Sequence, residues 1–82
     1  MSDISTASAV VSSLSPADQA RAEVAGRTDA RIYGAGKTAA ELRLDAAEMA
    51  SPSEDSTPWQ LAYFAAAGDE FLKLTNEREV TA

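Results

Sequence analysis

The stretch Ser51-Pro52-Ser53-Glu54-Asp55-Ser56-Thr57-Pro58 constrains this fold more than any other part of the chain. Proline has no backbone N–H, and it pushes the residue before it away from helical backbone. Two prolines around a run of Ser, Glu, Asp and Thr therefore close one element and open another. Thr57-Pro58-Trp59-Gln60 adds the start of the next helix. The threonine hydroxyl can accept from the backbone N–H of Gln60, the glutamine can reach back, and proline suits the first helical position.

Both sides of this break read as helix. Ser15-Pro16-Ala17-Asp18 is a second helix start, with a hydroxyl cap, a proline and an acid near the positive end of the dipole. Helical composition runs from Pro16 to Ala50, with a bend or a loop expected near Tyr33 to Gly36, where Gly34 and Gly36 each cost about 1 kcal/mol in a helix interior. After Pro58, the residues Leu61, Phe64, Ala65, Gly68, Phe71 and Leu72 recur at three- and four-residue spacing. That helix is expected to end near Leu74 or Thr75, with Asn76 as its cap. Nothing alternates as a strand would.

The predicted fold is all-α, a small helical hairpin or bundle of two to three helices. Residues 15–76 form its single domain. Residues 1–14, with Ile4, Val10, Val11 and Leu14 on one edge, are expected to be a flexible arm or short docking helix, and residues 77–82 a polar tail. Leu42, Ala46 and Met49 should face Leu61, Phe64, Phe71 and Leu72.

Composition narrows the function. Of the 82 residues 45% are hydrophobic, but many are alanine, so the core is thin and self-association is the expected remedy. There is no His and no Cys, which removes the usual zinc ligands and the bases and nucleophiles of triad chemistry. No catalytic constellation, metal site or cofactor is expected; Asp69 and Glu70 are helix neighbours whose side chains diverge. The formal charge of -6 argues against binding a nucleic-acid backbone. No run reaches the ~20 apolar residues of a membrane span, and Met1 to Leu14 lacks the basic start of a secretory signal. The expected location is the cytoplasm, that of the host if the protein is viral.

Two patterns remain. Ala22, Gly26, Ala30 and Gly34, continued by Thr38, form a ladder of small residues on one helix face. Such a ridge lets another helix approach closely. With Trp59, Tyr63, Phe64 and Phe71 of the second helix, it is the expected self-association surface. The second pattern is basic: between Arg21 and Arg43 five cations stand against three carboxylates. Arg27, Arg31, Tyr33 and Lys37 could border a groove for an anionic ligand such as a nucleotide, through guanidinium–phosphate pairing and stacking. Gly36-Lys37-Thr38 matches the tail of a phosphate-binding loop, but Arg31 stands where that loop needs glycine. Gly36-Lys37-Thr38-Ala39-Ala40-Glu41 resembles the opening of some helix-turn-helix segments, but Asp45 and Glu48 sit where DNA contact wants basic residues.

The expected function is therefore that of a non-enzymatic helical interaction protein that self-associates and binds a partner, such as a phage or mobile-element accessory protein or inhibitor. The alternatives are an oligomeric sequestering protein for an anionic small molecule, and a structural subunit of a helical assembly.

Overall fold

The computed structural model describes residues 14–81, and these form three helices with no strand. Helix α1 spans Pro16–Gly34, α2 spans Ala39–Met49 and α3 spans Pro58–Thr81. The all-α fold is thus as expected. The arm expected over residues 1–14 lies outside the described residues except for Leu14.

The helix starts follow their local chemistry. The Ser15 hydroxyl accepts from the Asp18 N–H at 3.1 Å. The Thr57 hydroxyl accepts from the Gln60 N–H at 3.1 Å, while the Gln60 side chain accepts from the Thr57 N–H at 2.9 Å. The break near Tyr33 to Gly36 is a full turn rather than a kink. Gly34 closes α1, Gly36 takes a φ of +83°, and Thr38 opens α2 with a reciprocal capping box to Glu41.

The end of α3 differs from expectation. The helix does not stop at Asn76 but runs on to Thr81 through the segment expected to be a polar tail. Tertiary partners hold this last stretch. Arg31 of α1 donates to Glu77 at 2.9 Å, and Arg43 of α2 pairs with Glu79. Arg78 donates to the Gly34 and Lys37 carbonyls at 3.2 and 3.1 Å. Arg78 thereby adds a second donor to the Gly34 carbonyl at the end of α1, which also accepts from the Lys37 N–H at 3.1 Å.

α3 is the hub. Both α1 and α2 pack on it and hardly touch each other. α1 runs parallel to α3, since Asp29, Arg31 and Gly34 meet Tyr63, Glu70 and Arg78 in ascending order. α2 runs back antiparallel: Arg43 meets Glu79, and Met49 lies beside Gly68. The core joins all three helices through Ala30, Leu42, Ala46, Ala67, Phe71 and Leu74, with Met49 packed against it. Leu61 and Leu72, expected to pack against α2, are instead exposed, lining a hollow at the edge of the contact between α2 and α3.

Candidate functional site

The small-residue ladder does not lie on a free surface. Ala22, Gly26, Ala30 and Gly34 are the buried residues of α1, and they face the chain's own α3. A Cβ on Gly26 would sit 2.3 Å from the Tyr63 carbonyl oxygen, so the two backbones are already in contact there. The expectation of a self-association ridge is corrected accordingly: a small-residue face admits one close helix, and α3 occupies it. Thr38 leaves the ladder altogether and caps α2. The aromatic part of that expected surface is also turned inward. Phe71 is buried, Phe64 and Tyr63 are half-buried, and the Tyr63 hydroxyl donates to Asp29 of α1. Trp59 alone of the four is exposed, stacked on Tyr63 with ring centroids 5.4 Å apart.

The four residues expected to hold an anion do not converge either. Arg27 and Arg31 lie on one flank of α1, and Tyr33 and Lys37 line a groove on the other. Each cation already has a carboxylate. Arg27 pairs with Glu23 at 3.6 Å, Arg31 with Glu70 at 2.5 Å and Glu77 at 2.9 Å, and Lys37 with Asp45 at 2.6 Å. Arg31 is a staple: its guanidinium spans the roughly two turns of α3 between Glu70, which is buried, and Glu77. The hydrogen bonds from Arg31 to Glu77 and Glu70 raise its pKa further, and the same contact lowers that of Glu77.

Of the concave features, two bear on function. The first is the groove between α1 and α2, of about 320 Å³. Ala30, Met49, Phe64, Ala67 and Phe71 form its apolar floor, and Asp29, Tyr33, Lys37, Asp45 and Tyr63 form its rim. The groove exists because α2 is only 11 residues long and meets α3 rather than α1. Tyr63 and Lys37 on its rim are poor proton carriers at neutral pH. The Tyr63 hydroxyl is pushed up to about 12, chiefly by its hydrogen bond to Asp29, and Asp45 raises the pKa of Lys37.

The second is a hollow of about 440 Å³ on the outer face of α3. Leu61, Ala65, Gly68 and Leu72 form a stripe there at four-, three- and four-residue spacing, flanked by Met49, Ala50 and Pro52. Reading the C-terminal helix as a single stripe merged this face with the core face. The two separate only once α1 and α2 are seen to occupy adjacent sides of α3.

Among the described residues no group of three or more carboxylates could hold a metal ion, and no helix is long and apolar enough to cross a membrane. Comparison of the chain with protein-family models, with characterised proteins and with solved structures finds no match.

Proposed function

We propose that this is a non-enzymatic helical interaction protein that self-associates through the outer face of α3 and acts by binding a partner protein. One observation carries the reading: the large apolar side chains are mostly outside. Among the described residues only Leu42, Phe71 and Leu74 of them are buried, the rest of the buried apolar set being alanine, whereas Val24, Ile32, Tyr33, Leu44, Trp59, Leu61, Leu72 and Val80 are exposed. Single exposed apolar residues are ordinary, but a contiguous stripe beside a hollow is what an association surface needs. Leu61 and Leu72 lie on one such stripe with the exposed Ala65 between them, while Gly68 is where the chain's own α2 meets α3. Small size, acidity and a binding rather than catalytic surface suit a phage or mobile-element accessory protein acting on a host machine.

Sedimentation of the whole chain across a concentration series tests this. The wild type should form a dimer or a higher discrete oligomer. A Leu61→Lys/Leu72→Lys variant should remain monomeric with its helical signal intact, because both side chains are exposed in the monomer. A wild type that stays monomeric at every concentration, or a double variant that still assembles, would overturn the proposal.

A further inference from the structure

We infer that the groove between α1 and α2 binds an organic cation, a protonated amine or guanidinium carried on an apolar body. The floor supplies the apolar contact: Phe64, Ala67 and Phe71 of α3 lie under the opening, with Met49 at the α2 side. The volume of about 320 Å³ falls at the small end of ligand pockets, roughly 300–1,000 Å³.

Charge sets the sign of the ligand. Asp29 accepts from the Tyr63 hydroxyl but makes no ion pair with any described residue. Lys37, the one cation on the rim, is held by Asp45 at 2.6 Å, and Glu41 and Glu48 lie close enough for their charges to act on it. An anion entering the groove would meet Asp29 with no unengaged cation beside it. A cation would meet a carboxylate on an apolar floor, where removal from water strengthens the attraction. Tyr33 and Tyr63 line the same groove and add aromatic surface beside that carboxylate.

A purely structural role would not need the charge. Joining α1 to α3 requires only an acceptor for the Tyr63 hydroxyl, which an asparagine amide oxygen provides. Asp29→Asn therefore separates the two roles, since it keeps the acceptor and removes the charge.

Hydrogen–nitrogen correlation NMR on the full chain tests the inference with two near-isosteric probes, phenylpropylammonium and phenylbutanoate, and with a capped Leu-Arg-Leu peptide. Phenylpropylammonium should shift the amides of Ala30, Tyr63 and Ala67, with Kd about 1 mM or tighter. Phenylbutanoate should not shift them. Asp29→Asn should weaken amine binding about tenfold while its amide spectrum stays that of the folded chain, the loss expected for one charge-assisted contact. Lys37→Met, which removes the competing cation, should tighten it. A stronger response to the peptide would assign the cation to a partner's side chain, and a stronger response to the amine would assign it to a free metabolite; both support the site. Equal binding of phenylbutanoate, unchanged affinity in both variants, or no shift at the groove would overturn it. The Leu61→Lys/Leu72→Lys monomer should bind the amine unchanged, so a failure of self-association and a failure of this site are distinguishable.

Discussion

At residue 26 the absence of a side chain is a structural requirement. A methyl on Gly26 would stand 2.3 Å from the Tyr63 carbonyl oxygen and 3.1 Å from the Ala67 nitrogen, both backbone atoms that cannot rotate away. Overpacking of this kind costs ~1–3 kcal/mol, and helix propensity returns only about 1 kcal/mol on replacing glycine by alanine. Gly26→Ala is therefore expected to lower the unfolding free energy by up to about 2 kcal/mol after that offset. Gly34→Ala should stay within about 1 kcal/mol of wild type, because its methyl meets the ends of Leu74 and Leu42, which can shift. Gly36 has open space around it but a φ of +83°, so Gly36→Ala should cost about 1 kcal/mol through backbone strain alone. Urea unfolding of the three variants gives the order. The ladder itself was legible in the sequence as a close-approach face. Which helix it meets was not, because small residues specify a short distance and carry no mark of the partner.

Tyr63 gives a second check at this scale. Its hydroxyl titrates at about 12 rather than 10 because it donates to the Asp29 carboxylate and is half-buried. A pKa raised in the folded state stabilises the fold below pH 10, and that contribution is lost as pH rises through about 12. The phenolate absorbance of Tyr63 should move back toward pH 10 in Asp29→Asn, since the neutral amide no longer opposes ionisation.

The elements were legible where local chemistry decides them. Ser15 and Thr57 open their helices as cap residues must, and the glycines around residue 35 end α1. The capping box Thr38-Ala39-Ala40-Glu41 was open to reading by the same rule that found the one at Thr57; its resemblance to a phosphate loop and a helix-turn-helix drew the reading elsewhere. The last turns of α3 were out of reach. Glu77, Arg78 and Glu79 look like a tail, and the groups that bind them, on Arg31, Gly34, Lys37 and Arg43, are distant in sequence. Acid titration probes this end of α3 together with the start of α2. Arg31 lowers the pKa of Glu77, and the Thr38 backbone N–H and hydroxyl lower that of Glu41, each from an ordinary 4.5. Carboxylates lowered in the folded state stabilise it above pH 4.5, and that contribution is lost as pH falls through their folded values. A Glu41→Gln/Glu77→Gln variant should therefore melt lower than wild type near neutral pH and converge with it in acid. Arg31→Met should lower the melting temperature more than Glu77→Gln does, because it also strands the buried Glu70 carboxylate, with Lys73 no nearer than 3.8 Å.

For the whole molecule, charge and apolar surface pull association in opposite directions. Each copy carries a net charge of -6, so bringing two together is opposed by long-range repulsion. The outer face of α3 offers Leu61, Ala65 and Leu72 with Asp69 at the margin and no basic residue among those lining the hollow. An interface built on that face gains from burial of leucine and has no cross-subunit ion pair there to lose. Salt then acts in one direction: it shortens the Debye length from about 30 Å at 0.01 M to about 3 Å at 1 M, removing repulsion and leaving apolar contact intact. Self-association should therefore tighten as sodium chloride rises, which sedimentation equilibrium reads directly as a falling dissociation constant. An interface made by the basic flank of α1, with Arg27 and Arg31 reaching carboxylates of a second copy, predicts the reverse, because screening weakens exposed ion pairs. The sign of the salt dependence thus locates the interface on α3 or on α1 before any substitution is made.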